Sequence, residues 1–348
     1  GNSDLQPDFV WIKQRTSNNP HMLQDSSRGF AGNGEVNVLQ SNSNGAEATN
    51  GGFESFNTDG FGVGGTNVAS GAYNLSGHNY VAWQWKSNGG TTASNTDGTI
   101  TSTVQANQDA GFSIVTWSGT GAAGTIGHGL GQLPAMIIFK NRSSTADWMV
   151  FHKNSQSSYN FSATAFLTLN TTAAVNGTGV SGVMNNTAPT TSLFTVGNDS
   201  RSNGSSNNMI AYCFAEKQGY SKFGKYVGNG TGTSDGTFNG TFVYTGFKPA
   251  WVMVKRSSYS AGDGWTIWDN AREPRGTFGS GNYINNKLTA NSAGAESGNV
   301  YDAVDFLSNG FKLRTGRAGT NANGSTYIYM AFAENPFVTS TGIPTTAR

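Results

Sequence analysis

Apolar residues come along this chain in short unbroken runs, separated by long stretches of Gly, Asn, Ser and Thr. Phe9-Val10-Trp11-Ile12, Met136-Ile137-Ile138-Phe139 and Trp251-Val252-Met253-Val254 are examples, each rich in β-branched or aromatic side chains. Runs of this length bounded by Pro, Gly and Asn predict strands buried on both faces. Proline ahead of such a run is tolerated because the first strand residue needs no ladder donor. Asp59-Gly60 and Asn309-Gly310 predict tight turns, since these residues accept positive φ. Long runs of helix formers are scarce, so few helices are expected.

The runs repeat. Pro7 to Lys13 returns as Pro134 to Lys140 and again as Pro249 to Lys255. A closing block reads Tyr80 to Trp85, then Met209 to Phe214, then Tyr327 to Phe332, and the last two continue as Ala-Glu at Glu216 and Glu334. Leu39-Gln40-Ser41-Asn42, Leu167-Thr168-Leu169-Asn170 and Leu288-Thr289-Ala290-Asn291 match between these blocks. Asp25 to Arg28 matches Asp269 to Arg272. Units two and three are each preceded by an aromatic strand running into Gly-x-Gly, at Ile114 to Gly121 and Phe223 to Gly230. Unit one has no such leader. With Gly rather than Met at position 1, this leads us to expect sequence upstream.

Each unit is long enough to bury its own core. The expected architecture is all-β: three tandem β-sandwich repeats of jelly-roll or concanavalin A-like type. The predicted boundaries are 1–88 for an incomplete first repeat, 89–217, 218–337, and a C-terminal tail 338–348. A pseudo-symmetric assembly in which neighbouring units complete each other's sheets is the second architecture considered. The Gly, Ser, Thr and Asn-rich stretch Ser87 to Ala110 predicts a linker or long loop.

Gly111-Phe112-Ser113-Ile114-Val115-Thr116-Trp117, Gly127-His128-Gly129-Leu130-Gly131, Pro134 to Ile138 and Tyr327 to Phe337 together resemble a family of bacteriophage virion structural proteins of tail-fibre-like type, found in phages of marine bacteria. The resemblance reaches to about Phe337. It implies a non-enzymatic virion component at the tail or particle surface, other virion proteins as partners, self-association as a homotrimer, and contact with host surface glycans. It supplies no catalytic residue. A purely structural tail or capsid decoration protein and a polysaccharide depolymerase are the alternatives.

Composition agrees with that setting. The chain carries 21 Lys+Arg against 20 Asp+Glu, and only 12% of its residues are charged. Near-neutrality removes the electrostatic basis for non-specific nucleic-acid binding. A polar, weakly charged surface depends little on salt. Aromatic residues make up 12% of the chain, which argues against disorder. No apolar run approaches the roughly 18–20 residues of a membrane span, so no membrane insertion is expected.

Candidate chemistry is sparse. Cys213 is the sole cysteine, which excludes an intrachain disulfide, and its apolar neighbours predict a buried hydrophobe. His21, His78, His128 and His152 show no metal-ligand spacing. Calcium is the one cofactor left open, with Asn198-Asp199-Ser200 and Thr58-Asp59-Gly60 as oxygen-bearing turns, although no calcium-loop motif is present. Glycosidase chemistry needs two carboxylates a few ångströms apart. Glu47 with Glu296, and Glu216 with Glu334, sit at repeated positions, which favours a structural role. For glycan contact the candidates are Trp148, Trp265 and Trp268 as stacking platforms, and Asp25, Arg28, Asp269 and Arg272 as polar anchors. Core filling by the tryptophans, and Asp–Arg pairs that fix strand ends, are the competing accounts.

Overall fold

A computed structural model describes residues 5–31, 34–64, 71–154, 165–175, 180–232, 238–258, 263–272, 283–298 and 302–336. The chain is all-β, with antiparallel sheets and three short helices among the described residues. Unit one contains β1 (Phe9–Gln14), β2 (Met22–Asp25), β3 (Val36–Gln40), β4 (Ala48–Asn50), β5 (Phe53–Asn57), β6 (Gly60–Val63) and β7 (Tyr80–Trp85). Unit two contains β8 (Ala93–Asn95), β9 (Ser102–Asn107), β10 (Phe112–Ser118), β11 (Gly124–Gly127), β12 (Pro134–Asn141), β13 (Met149–His152), β14 (Leu167–Thr168), α1 (Val180–Met184), β15 (Leu193–Val196), α2 (Ser200–Asn203) and β16 (Asn208–Ala215). Unit three contains β17 (Ser221–Val227), β18 (Phe242–Tyr244), β19 (Pro249–Arg256), β20 (Thr266–Asp269), β21 (Asn286–Thr289), β22 (Ser297–Gly298), β23 (Val304–Leu307), β24 (Gly310–Leu313), α3 (Ala318–Asn321) and β25 (Thr326–Ala333).

Each unit has one main sheet with the same order. It runs β3-β2-β1-β7 in unit one, β14-β13-β12-β16-β10 in unit two and β21-β20-β19-β25-β17 in unit three. The repeated Pro-apolar-Lys block forms the third strand in each of these orders (β1, β12, β19), and the closing block lies beside it (β7, β16, β25). Where Pro134 and Pro249 open their strands the register shifts by one residue, as expected of a residue that cannot donate to the ladder. Asp59 and Asn309 stand in the two-residue connections of the β5–β6 and β23–β24 hairpins.

The two faces of each main sheet meet different cores, because side chains alternate along a strand. Val10 and Ile12 face a cluster with Phe53 and Tyr73; Ile137 and Phe139 face one with Phe194 and Val196; Val252 and Val254 face one with Phe311 and Leu313. A smaller outer sheet or hairpin covers each: β5-β6, β11-β15 and β18-β24-β23. The other faces converge. Phe9, Trp11, Met136, Ile138, Trp251 and Met253 belong to one cluster shared by all three units. At its centre the equivalent residues Trp85, Phe214 and Phe332 form a triangle, with ring centroids 6.2, 5.7 and 6.3 Å apart. The units therefore share a core. Among the described residues no sheet takes strands from two units.

Residues 87–110 are not a linker. β8 and β9 extend the main sheet of unit two beyond β10. The turn before them is pinned by the buried Asp8 carboxylate, which accepts the backbone N–H groups of Ser87, Gly89 and Gly90. Strand propensity was hidden by small polar residues whose burial comes only from tertiary contact. The tail 338–348 lies outside the described residues.

Candidate functional site

The seven residues predicted to touch a ligand lie inside the protein. Trp148 and Trp265 belong to the shared core and Trp268 to the outer core of unit three; all three are buried. A stacking platform needs an open ring face, and these indoles offer none. Their N–H groups are used internally. Trp148 Nε1 donates to the carbonyls of Gln40 and Ser43, Trp265 Nε1 to that of Thr168, and Trp268 Nε1 to that of Asp302.

The Asp–Arg pairs are likewise buried. Arg28 Nε donates to Asp25 Oδ2 and Arg272 Nε to Asp269 Oδ2, both at 2.5 Å. Each arginine also donates to the carbonyl of its strand, Leu23 or Ile267. The carboxylates reach onward across a unit boundary: Tyr212 Oη donates to Asp25 Oδ2 and Trp83 Nε1 to Asp269 Oδ2. His152 takes the corresponding position in unit two, and its Nε2 donates to the Tyr329 carbonyl at 3.1 Å. Residue 330, which matches Tyr212 and Trp83, is Met and has no donor, so an aspartate there would lack its partner.

These contacts form a closed ring. Unit two grips unit one through Trp148 and Lys140, whose Nζ donates to the Asn44 carbonyl. Unit three grips unit two through Trp265 and Lys255, whose Nζ donates to the Thr172 carbonyl. Unit one grips unit three through His21, whose Nε2 donates to the Thr289 carbonyl. Lys13, Lys140 and Lys255 are fully buried, and burial lowers each to about 8.

The glutamates weighed for catalysis are corner pieces of this ring. Glu47 binds Arg28 of its own unit and Arg142 of unit two. Glu296 binds Arg272 of its own unit and Arg15 of unit one. Burial alone would raise the Glu296 carboxyl, but the bonds from Arg15 and Arg272 override it and hold it below the ordinary value. At the third corner Val175 and Ser257 stand where the ion-pair partners would be, and among the described residues the main-chain bond from Val175 N–H to the Ser257 carbonyl is what joins them. Its counterparts run from Glu47 to Arg142 and from Glu296 to Arg15. Glu216 binds Lys153 and Lys222, and Glu334 binds Lys248. Asp199 caps α2 and pairs with Arg201. Among the described residues no three His, Cys, Asp or Glu side chains gather as a metal site would require. Cys213 is buried, which pushes its thiol up. Among the same residues no helix is long and apolar enough to cross a membrane.

The buried asparagines Asn203 and Asn321 were not singled out from sequence. Their Oδ1 atoms accept the N–H of Thr120 and of Asn229, and their Nδ2 groups hold the carbonyls of Ala122 and Thr231. They clamp the Gly-x-Gly turns. A Cβ on Gly119 would stand 2.0 Å from the Gly204 carbonyl oxygen, and one on Gly228 2.3 Å from that of Ala322, which is why glycine is needed there.

Among the described residues, the following two surface features bear on ligand contact. The first is a polar cleft of about 600 Å³ where units two and three join, lined by Thr172, Lys287, Asn291, Asp302, Arg317 and Thr320 among others. Lys287 and Arg317 both approach Asp302 Oδ2, at 3.0 and 3.4 Å, and Thr320 Oγ1 is buried without a hydrogen-bond partner. The second is on β18. Phe242 and Tyr244, two residues apart and so on one face, are 43% and 62% exposed, while Val243 between them is buried. Lys312 lies opposite Phe242, with Nζ bonded to Asn239 Oδ1, and Gly310 lies opposite Tyr244, leaving that ring uncovered by a cross-strand side chain. Phe242-Val243-Tyr244 is apolar throughout, so nothing in its local sequence marks which face stays open.

Fold and surfaces define an all-β protein of three interlocked units around one aromatic core, with an open aromatic strand on the third. The chain belongs to the family described as "Domain of unknown function (DUF7483)", whose profile matches residues 2–336. No curated protein and no solved structure matches it.

Proposed function

We propose that this protein is a non-enzymatic structural protein of a bacteriophage-type particle that contacts host glycans, with the Phe242–Tyr244 face of β18 as the contact surface. Its units are then jelly-roll or concanavalin A-like sandwiches turned to adhesion. The observation that carries this reading is the open pair of aromatic rings. Sugars stack their apolar faces on such rings, while amide and ammonium groups read the hydroxyls, and Asn239 and Lys312 lie beside them. Glu296 and Glu216 are held below the ordinary carboxylate value by their basic partners despite burial, which favours this reading over a depolymerase, whose general acid needs a raised pKa.

The test is binding to a host-type glycan array. Wild-type protein should bind, Tyr244→Ala should abolish binding with the thermal midpoint unchanged, and no reducing ends should be released. Release of reducing ends that is lost in Glu296→Gln would establish the depolymerase instead. Absence of binding to any host surface material would favour a scaffold or decoration protein without ligand.

A further inference from the structure

We propose that the free edge of β7 receives an antiparallel strand from a partner polypeptide, built on the pattern of β10 and β17. In units two and three the closing strand lies between two neighbours: β16 between β12 and β10, β25 between β19 and β17. In unit one β7 pairs with β1 alone, and no described strand meets its outer edge. The burial differs accordingly. After its first residue β16 is buried throughout, and so is β25; in β7 only Trp83 and Trp85 are buried, while Tyr80, Val81, Ala82 and Gln84 are half-buried.

The other two units specify the occupant. Matching β7 to β16 and β25 through Trp85, Phe214 and Phe332, the residue opposite Trp83 corresponds to Ile114 and Phe223. The residue opposite Tyr80 corresponds to Trp117 and Tyr226, and two positions further on stands the first glycine of Gly-x-Gly. The residue opposite Gln84 corresponds to Ser113 and Lys222, both hydrogen-bond donors. Gln84 Oε1 is buried without a partner, and an unpaired buried acceptor is costly. A donor at that place in the added strand would satisfy it. Main-chain bonds would supply affinity and the aromatic position specificity, as in strand addition generally.

A second copy of this chain is a poor donor. Its own segments of this pattern, β10 and β17, are paired, with Phe112, Ile114 and Phe223 in the shared core. No described strand meets the outer edge of β17, but that strand carries Lys222 and Lys225, a usual defence against edge pairing.

A labelled peptide of residues 111–121 is the probe, titrated into the full chain and followed by fluorescence anisotropy. Saturable binding is expected. N-methylation of alternate amides along the peptide edge that faces β7 should weaken it about tenfold or more, the loss of one or two ladder bonds, while methylation along the other edge should not. Absence of binding up to about 1 mM, or equal sensitivity of both edges, would overturn the proposal. So would concentration-dependent self-association of the chain that the peptide competes away, since a second copy would then fill the edge. A gain in affinity on removing residues 337–348 would assign the edge to the chain's own tail and overturn it too.

Discussion

His21 and Trp148 hold the same place in two units and make the same bond: each ring N–H meets a main-chain carbonyl of a neighbouring unit, at 3.1 Å to Thr289 and 2.9 Å to Gln40. His21 Nδ1 also accepts the Nε1–H of Trp11 at 2.8 Å. With Nδ1 accepting and Nε2 donating, the imidazole is neutral and its tautomer fixed. Trp11 corresponds to Ile138 and Met253, so a large residue with histidine in unit one replaces a medium residue with tryptophan in the others. His21→Trp alone should overpack against Trp11 and cost about 1–3 kcal/mol. Trp11→Met with His21→Trp should recover most of that loss. Urea midpoints of the two single variants and the double variant check this.

Acid should unfold the protein from near neutrality downward. His21 and His152 are buried and, chiefly by burial, lowered to about 3; His128 is lowered as well. In each, Nε2 faces a carbonyl and Nδ1 accepts an N–H. The unfolded chain takes up these protons near pH 6.5 while the folded chain does not, so stability is complete above that pH and falls as pH drops towards about 3. The slope is about 1.4 kcal/mol per pH unit for each histidine. Denaturant titrations at pH 7.5, 6 and 5 (chosen about the ordinary histidine value) should show it, and the Trp11→Met, His21→Trp double variant should lessen the slope by about one proton.

The Asp25–Arg28–Tyr212 cluster should be graded in its response. Tyr212→Phe removes one donor from a charged acceptor and should cost about 1.5–3 kcal/mol. Asp25→Asn leaves the Arg28 guanidinium buried without its carboxylate and should cost about 3–5 kcal/mol. Equal losses in equilibrium unfolding would mean that the hydroxyl, and not the ion pair, holds this boundary.

Gly119→Ala and Gly228→Ala should each destabilise by about 3 kcal/mol or more, because the added methyl meets main-chain oxygen that cannot rotate away. Gly324→Ala is the informative contrast: a Cβ there meets no atom within 4 Å, so only its positive φ opposes the change. A cost of about 1 kcal/mol, seen as a small shift in thermal midpoint, is expected.

Local pattern carried the strands well. Runs such as Met136 to Phe139 need no tertiary information to be read as buried on both faces, and Asp59 and Asn309 mark their turns unaided. The ring of contacts was less legible. Trp148, Trp265, Asp269 and Arg272 stood out as unusual residues, but their sequence positions do not say that the faces they occupy are closed by another unit. β8 and β9 were missed because residues such as Ser102 and Gln105 are polar, and become buried only through unit one and the adjoining strands. The exposed rings of Phe242 and Tyr244 differ from the buried ones of Trp251 only in which sheet they join, which no local rule supplies.

The Val175–Ser257 corner shows what a single chain permits. Three identical subunits would carry any change at every corner at once. Here one gene encodes three corners separately, so an ion pair can be exchanged for a lone main-chain hydrogen bond at one place while the other two keep theirs. Each boundary, and each outer loop above it, is free to diverge at its own pace around a core that all three must preserve.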